Sequence, residues 1–430
     1  MTKAHQQSEL QRRQLLLGGL ALAGMGLTGC ASMGTGPSIG RVVVVGGGFG
    51  GATAARYLRL WGGNVDVTLV ERQPSFVSCP ISNLVLGGHK QMSDITRGYE
   101  GLKALGVKLV QGEVVAIDPV AKSVRLADGS ALAYDRLVLS PGIDFMSDQI
   151  GGLQAALASG QVLHSWKAGP QTVALRKQLT DMADGGVVAM SIPKAPYRCP
   201  PGPYERACMI ASYLKTAKPK SKLLVLDANP EIQSKKALFE KAFKQHYEGI
   251  LEYRPNAELK EVANAGKLAR LEFEDVKADV LNVIPPQRAA DLALQAGVVN
   301  INQRWAGVHW LSMESTALPG VHVLGDAVFP GPGMPKSGHM ANQQAKLAAA
   351  AIIQLLRGEA VNATPVLMNT CYSFVTARDV VHVASVHQYD AAEKAFKPVP
   401  GSGGVSAAAN QVEGRYALSW AENIWTDMLG

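Results

Sequence analysis

The sequence predicts an α/β fold with two Rossmann-type, dinucleotide-binding-like domains and a C-terminal α+β domain. First, an apolar strand at residues 41–45 runs into a glycine-rich turn, a helical pattern and a second strand. Second, the same order of strand, helix and strand returns between residues 186 and 227. Third, a later strand at residues 320–324 ends in Gly325-Asp326. Alternation of strands and helices is typical of parallel sheets covered by helices.

The composition is that of a globular protein. Of the 430 residues, 47% are hydrophobic and 18% are charged, and the formal net charge is +7. The basic residues form no dense block, so nucleic acid is not expected as a partner. The five cysteines, at positions 30, 79, 199, 208 and 371, show no CxxC, CxxCH or zinc-ligand spacing. We therefore expect no metal site and no haem on this chain.

Residues 1–36 are predicted to be an export signal of the twin-arginine type. Arg12 and Arg13 stand before a 14-residue apolar stretch, residues 15–28, which is shorter than the ~20 residues of a spanning helix. The segment Leu-Thr-Gly-Cys30 resembles a lipoprotein cleavage box. Plain cleavage, lipid anchoring at Cys30 and an uncleaved N-terminal anchor all stay open. The expected location is the periplasm, reached in the folded state, where disulfides persist.

Residues 37–155 are predicted to form the first part of a dinucleotide-binding domain. Gly46 permits the tight turn, Gly48 lets the backbone approach a pyrophosphate, and Gly51 lets the helix pack on the strand. The helix start at residue 52 offers amide donors and a positive dipole to phosphates. Glu71, 20 residues after Gly51, is placed to accept hydrogen bonds from ribose hydroxyls.

The rest of this part indicates which dinucleotide is bound. A strand at residues 112–118, a hairpin turn at Asp128-Gly129 and a strand at residues 134–142 follow. This pattern resembles the FAD domain of flavoproteins with two dinucleotide-binding domains, so FAD is the expected cofactor. Arg72 and Val115 are also predicted to contact it.

Residues 156–286 are predicted to form a Rossmann-like domain that lacks a nicotinamide site. A strand at residues 186–192, a helix at 204–216 and a strand at 222–227 repeat the βαβ order. The loop between them, residues 193–203, carries five prolines where glycines should be. Because proline has no amide donor and its ring blocks close approach, we expect no NAD(P) there.

Residues 287–360 are predicted to complete the FAD-binding domain. Asp326 follows a strand, as in FAD enzymes where this carboxylate meets the ribityl chain or pyrophosphate; an ordinary helix N-cap is the alternative. Lys336 precedes a helix that runs to about residue 356, and the N-terminus of this helix would favour reduced, anionic flavin. Residues 361–430 are predicted to form a C-terminal flavin and interface domain.

The cysteines suggest redox chemistry. Cys79 lies shortly after Glu71, where the chain should pass a flavin, whereas Cys199 lies in the proline loop and Cys371 in the tail. Cys208 lies in a helical pattern and is interpreted as a core thiol. Any single cysteine is most simply a small buried apolar residue. Three of them near a flavin, with no nicotinamide site, favour a redox role.

Several segments resemble the flavoprotein subunit of flavocytochrome c sulfide dehydrogenase. They are VSCPISNLVLGG, YRCPPGPYERA, NVIPPQRA, GDAVFPGPGMPKSGHMANQQAK and NTCYSF. The resemblance implies that Cys79 bonds covalently to FAD and that Cys199 and Cys371 form a redox-active disulfide, with Glu205 nearby. The residue before Cys79 is serine, where the family commonly has an aromatic residue.

The resemblance further implies that sulfide is oxidised and that electrons pass to a c-type cytochrome subunit carrying the haem. Hydrosulfide can attack a disulfide as a thiolate does, giving a persulfide and a free thiolate. A sulfide:quinone oxidoreductase is the alternative, although it would need a C-terminal membrane element that the tail lacks. A non-enzymatic FAD-bearing assembly protein would not need cysteines on both the central loop and the tail.

Overall fold

The computed structural model describes residues 36–430. The predicted export signal, with its arginine pair and Cys30, therefore lies outside the described residues apart from its last residue. The described strands are, in chain order, β1 (Gly40–Val45), β2 (Val65–Glu71), β3 (Phe76–Val77), β4 (Thr96–Arg97), β5 (Lys108–Gln111), β6 (Val114–Asp118), β7 (Ser123–Leu126), β8 (Ala131–Ala133), β9 (Arg136–Leu139), β10 (Ile143–Phe145), β11 (Val187–Ile192), β12 (Lys222–Asp227), β13 (Leu251–Arg254), β14 (Glu261–Ala263), β15 (Leu268–Arg270), β16 (Asp275–Lys277), β17 (Val280–Val283), β18 (Gln287–Ala289), β19 (Val299–Ile301), β20 (Trp305–Ala306), β21 (Val308–His309), β22 (Glu314–Ser315), β23 (Val321–Val323), β24 (Val366–Phe374), β25 (Val380–Asp390), β26 (Ala395–Pro398) and β27 (Gly404–Val405).

The helices cover the sheets and connect the strands. They are α1 (Phe49–Gly62), α2 (Ser82–Leu86), α3 (Glu100–Ala104), α4 (Leu153–Ala158), α5 (Pro170–Asp181), α6 (Gly202–Ala217), α7 (Lys236–Tyr247), α8 (Asp291–Gln295), α9 (Gly338–Arg357) and α10 (Gln411–Leu429). Short 3₁₀ turns occur at Met92–Ile95, Ser147–Gln149, Asn264–Gly266 and Gly325–Ala327.

The largest sheet has the order β21-β22-β23-β9-β1-β2-β5, and its central strands run parallel. The side chains of Val42, Val43 and Val44 are buried in this sheet, as expected for a parallel strand covered on both faces. Gly51 brings α1 against β1, since a Cβ there would lie 1.7 Å from the Gly46 carbonyl oxygen. The predicted first βαβ unit is confirmed.

A second parallel sheet, of order β13-β12-β11-β17, forms the central unit. Helix α6 follows β11 and buries its first ten residues, which are small or apolar apart from Glu205 and Arg206. The C-terminal residues form an antiparallel sheet in which β25 pairs with β24, β26 and β27. Helix α10 packs against β25 and α1. The predicted α/β fold, with its α+β tail, is therefore correct.

Two features of the described residues bear on function. No helix within residues 36–430 is both long and apolar enough to cross a membrane. The same part of the chain has no cluster of three or more histidine, cysteine or acidic side chains arranged to hold a metal ion.

One cavity lies where several elements meet. Around it are the carboxyl ends of β1 and β9, the starts of α6 and α9, and strand β24.

Candidate active site

The cavity has a volume of about 1060 Å³, the size of a cofactor-binding cleft. Eleven of the site residues predicted from sequence line it, although they come from distant parts of the chain. They are Gly46, Gly48, Glu71, Arg72, Cys79, Val115, Cys199, Glu205, Gly325, Asp326 and Cys371. Gly51 and Lys336 are not among the lining residues.

The glycine turn after β1 forms one wall. Gly46 has φ +98°, and a Cβ there would lie 2.4 Å from the Ser140 carbonyl oxygen. A Cβ at Gly48 would meet nothing within 4 Å, so this glycine faces open space. Glu71 braces the turn, because its Oε2 accepts a hydrogen bond of 2.6 Å from the Gly47 amide. Its predicted contact with a ribose stays a prediction.

The loop after β23 lies next to this turn and fits the ribityl–pyrophosphate part of FAD. Asp326 is deeply placed, and its Oδ1 has no hydrogen-bond partner among the described residues. Burial raises the pKa of Asp326, while Arg198 and Lys336 oppose that shift. An orphaned carboxylate oxygen in a cavity wall needs a donor, and a ribityl hydroxyl supplies one. The N-terminus of α9, with Gly338 and His339, lines the same space.

The side chain of Lys336 is directed to protein carbonyls instead of the cavity. Its Nζ donates to the carbonyl oxygens of Asp326 and Val328, at 2.9 and 2.5 Å. It also lies 3.6 Å from the centre of the Trp305 ring. Because these contacts occupy the ammonium group, Lys336 shapes the loop before α9 and is not placed as the cofactor contact that the sequence suggested.

Cys199 lies in the loop before α6 in a left-handed conformation, with φ +59°. Its amide donates a 2.8 Å hydrogen bond to the Lys336 carbonyl, which fixes this unusual backbone. The thiol packs against Gly202 at the start of α6, where a Cβ would lie 2.8 Å from the Cys199 Sγ. A glycine at this position therefore makes room for the sulfur.

Cys371 approaches the same wall from β24. The Asn369 Nδ2 lies 3.4 Å from its Sγ. Burial raises the pKa of both Cys199 and Cys371, and a negative charge on Cys371 would raise the pKa of Cys199 further. Both cysteines are free thiols in this structure. The structure brings the two together at one cavity, and their pairing as a disulfide stays a prediction.

Cys79 lies farther along the wall and is also a free thiol. Its Sγ is 3.4 Å from the Ala168 amide nitrogen and 3.6 Å from an Arg198 guanidinium nitrogen. These two nitrogen donors and the Trp166 carbonyl oxygen, 3.9 Å away, surround the sulfur. This environment is compatible with the predicted bond to flavin, which no contact in the structure tests.

Glu205 is buried, with 8% of its surface exposed. Its Oε1 accepts a hydrogen bond of 2.9 Å from the Phe374 amide, and its Oε2 accepts one of 2.8 Å from Asn83. Burial raises the pKa of Glu205 despite these donors. The carboxyl group therefore binds a proton more readily than a solvent-exposed glutamate does. Cys208, one turn of α6 away, is fully buried and does not line the cavity.

The acid at the end of β12, where a nicotinamide-binding unit would contact a ribose, is bound by neighbouring side chains. Asp227, the acid at the end of β12, is buried and accepts hydrogen bonds from Tyr204 and Tyr253 at 2.8 and 2.9 Å. Asn229 bridges the Asp227 carboxylate and the Pro193 carbonyl. The carboxylate that would meet a ribose in a nicotinamide-binding unit is thus engaged by tyrosine hydroxyls.

Three residues at or near the cavity were not predicted from the sequence. Arg198, the neighbour of Cys199, reaches Cys79, and its place in the proline loop was a usable signal. His339 lines the cavity in the first turn of α9. Lys235 lies beside the cysteines, but its surrounding segment, Gln-Ser-Lys-Lys, is typical of an exposed helix start. No sequence pattern could have indicated that this lysine is buried.

Three family models each match a part of this chain. The model for the central part of the flavocytochrome c sulfide dehydrogenase flavoprotein chain matches residues 172–285. The model for flavin binding in flavocytochrome c sulfide dehydrogenase matches residues 363–429. A pyridine nucleotide-disulphide oxidoreductase model matches residues 40–180.

Individual relatives point to the same group of proteins. The chain is 25% identical over 297 residues to the mitochondrial sulfide:quinone oxidoreductase of Mus musculus, covering 66% of this chain and 65% of the mouse protein. It is 62% identical over 45 residues, or 10% of this chain, to a sulfide dehydrogenase (flavocytochrome c) flavoprotein chain of Chlorobaculum thiosulfatiphilum, 94% of which is covered. The fold resembles that of the Aquifex aeolicus sulfide:quinone oxidoreductase, with a TM-score of 0.74, 20% identity, and coverage of 90% and 91% of the two chains.

Proposed function

We propose that this chain, a flavoprotein of the sulfide dehydrogenase and sulfide:quinone oxidoreductase group, oxidises sulfide with FAD. One observation carries the proposal. Cys199, Cys371 and Glu205 converge on the cavity whose other walls are the glycine turn after β1 and the start of α9. A reactive sulfur pair and a dinucleotide cradle in one cavity are what sulfide-to-flavin electron transfer requires.

The first step takes place at sulfur. In the oxidised enzyme Cys199 and Cys371 form a disulfide, and hydrosulfide attacks one of its sulfurs. One S–S bond breaks and another forms, which gives a cysteine persulfide and the thiolate of the partner cysteine. Burial raises the pKa of Glu205, which makes this carboxyl group the candidate proton donor and acceptor beside the pair. FAD, when bound, would accept two electrons as the free thiolate and the outer sulfur of the persulfide form a new S–S bond, which leaves the sulfide-derived sulfur between the two cysteines.

The residues that would hold FAD follow from the cavity wall. Gly46 and Gly48 admit the pyrophosphate, Glu71 braces that turn, and Asp326 accepts a hydroxyl. Cys79 is proposed to bind the flavin covalently, supported by the two donors at its sulfur. The Asp227 carboxylate accepts hydrogen bonds from two tyrosines, which supports the proposal that the central unit does not use NAD(P).

We propose a c-type cytochrome subunit as the electron acceptor. The family models named for flavocytochrome c, which match the central and C-terminal parts, support this choice. Quinone is the second candidate, and the likeness to the mouse enzyme favours it. Export to the periplasm in the folded state, with or without lipid at Cys30, completes the proposal and rests on the arginine pair in the leader.

Anaerobic stopped-flow spectroscopy tests the reaction and its acceptor. Purified protein is mixed with sulfide, and loss of the oxidised flavin band is followed. Reoxidation is then compared with cytochrome c and with a short-chain quinone as acceptors. Rapid bleaching by sulfide is expected, with faster reoxidation by the cytochrome. Faster reoxidation by the quinone would replace the acceptor, and no bleaching at all would refute sulfide oxidation.

A further inference from the structure

Lys235 occupies a position that ordinary helix capping does not explain. It stands directly before α7, has φ +57°, and is only 7% exposed. A left-handed lysine at a helix start costs free energy, so other contacts must hold it. Its neighbour Lys236 is exposed and forms a 2.8 Å ion pair with Glu231. The chain therefore buries one of two adjacent lysines.

The buried ammonium group binds to strands β24 and β25 next to Cys371. Its Nζ donates to the Cys371 carbonyl oxygen at 3.0 Å, to the Ser373 Oγ at 2.7 Å and to the Val381 carbonyl oxygen at 3.3 Å. All three acceptors are neutral. A buried cation whose direct partners are neutral is costly unless negative charge lies nearby.

The groups facing Lys235 come from every element packed around it. Cys371 lies on β24, Glu205 on α6, Cys199 in the loop before α6, and Glu413 on α10; each interacts favourably with the ammonium charge. Glu413 is already engaged with Ser406 and His382, at 2.6 and 2.9 Å. Both carboxylate oxygens of Glu205 already accept hydrogen bonds, from the Phe374 amide and from Asn83, at 2.9 and 2.8 Å. The cysteine sulfurs are thus the sites at which new negative charge would appear.

We propose that Lys235 is the charge-compensating residue of the cysteine pair, stabilising the thiolate that is released when the disulfide opens. This inference rests on the proposed function and adds a residue to it. When hydrosulfide attacks the disulfide, the negative charge moves from hydrosulfide to a cysteine sulfur, with no net change. The ammonium group of Lys235 is already in place before that charge arrives. No reorganisation of water is then needed at the moment of reaction.

The protonation of Lys235 supports this role. Burial lowers its pKa to about 8, while the cysteines and Glu205 counteract that shift. The ammonium form is therefore present at neutral pH and is lost as the pH rises through about 8. Its effect on the thiols should follow the same pH range.

Thiol alkylation tests the proposal without sulfide turnover. Protein reduced with a phosphine is treated with iodoacetamide between pH 6.5 and 9.5, and mass spectrometry of peptides measures labelling of Cys199 and Cys371. In Lys235→Met and Lys235→Gln, labelling of the pair at pH 7 should fall about tenfold, because loss of the cation raises thiol pKa by about one unit. The difference from wild type should shrink above pH 8. Lys235→Arg should restore most of the rate.

Lys236→Met is the matched control and should label as wild type does, since its side chain faces solvent. Equal labelling of wild type and both neutral variants would overturn the proposal. If neither neutral variant folds, the wild-type profile still decides. The labelling rate of a simple thiol rises about tenfold per pH unit below its pKa. In wild type the rise around pH 8 must be smaller than tenfold per unit, because the cation is lost there. A full tenfold rise per unit through pH 8 would contradict the proposal. Flavin reduction by sulfide is recorded in parallel, because its absence would refute the proposed function and leave the labelling result intact.

Discussion

The Phe374 amide donates a 2.9 Å hydrogen bond to Glu205 Oε1, which joins residues 169 positions apart. Cys199 lies in the loop before α6, and Glu205 lies in the first turn of that helix. Cys371 and Phe374 both lie on β24, where Phe374 is the last residue. This bond therefore holds the central loop and the tail strand against each other. A carboxylate that accepts from the strand backbone also places its second oxygen toward Asn83. The cavity wall that carries the sulfurs depends on this crossing.

The first prediction concerns the two cavity cysteines. Cys199→Ser and Cys371→Ser should each keep flavin bound but lose flavin reduction by sulfide by more than about a hundredfold, because a lone sulfur cannot complete the exchange. Stopped-flow absorbance at the oxidised flavin band measures the rate.

Cys208→Ser is the matched control, since this thiol is buried in α6 and does not line the cavity. It should reduce at close to the wild-type rate. If Cys208→Ser abolishes reduction while Cys371→Ser does not, the active pair is Cys199 with Cys208, and our assignment of the tail cysteine is wrong.

The second prediction is a covalent bond between FAD and Cys79. After acid precipitation, the yellow colour should stay with the wild-type protein pellet. In Cys79→Ser the fold should persist and the flavin should move to the supernatant, because a serine hydroxyl is a far weaker nucleophile than a thiolate. Fully loaded wild-type protein that releases all of its flavin would disprove the thioether.

The third prediction is that NADH does not reduce the flavin. The carboxylate at the end of β12 is bonded to two tyrosines, and the preceding loop carries five prolines. Neither offers the amide cradle that a pyrophosphate needs. Anaerobic addition of micromolar NADH should leave the flavin spectrum unchanged, with sulfide as the positive control. Rapid bleaching by NADH would show that the central unit binds the cofactor after all.

The fourth prediction concerns acid stability. Burial lowers the pKa of His339 to about 4, and its Nδ1 accepts a 3.0 Å hydrogen bond from the Thr370 amide. The neutral ring is favoured in the folded state, so its contribution is present above pH 6.5 and is lost as pH falls toward 4.

Replacing the His339 ring should therefore remove this part of the decrease in unfolding free energy at low pH. The free energy of unfolding of wild type should fall between pH 6.5 and 4.5 by on the order of 2 kcal/mol more than that of His339→Gln. Urea unfolding at both pH values measures the difference. Parallel losses in the two proteins would show that His339 does not titrate in this range.

Much of the architecture could be predicted because its signals are local. The valine-rich strand, the glycine turn and the α1 pattern follow one another within about twenty residues, and the structure confirms this unit. The hairpin turn at Asp128-Gly129 is also confirmed, with Gly129 at φ +87°. Element boundaries were predicted less well: the strand predicted from residue 112 begins at Val114, and the helix predicted from residue 52 begins at Phe49. The Gly112 amide instead donates to the Glu71 carbonyl, which extends the pairing beyond β5.

The strand and helix order, the glycine cradle and the proline loop follow from local sequence, because each depends on the backbone preferences of neighbouring residues. Which side chains meet depends instead on how the folded elements pack. Only the tertiary structure placed Cys199 and Cys371 at one cavity, directed Lys336 to carbonyls, and buried Lys235 while its neighbour stayed exposed. Such contacts join residues far apart in the chain, and their burial depends on how the units pack. A short stretch of sequence therefore does not predict that packing.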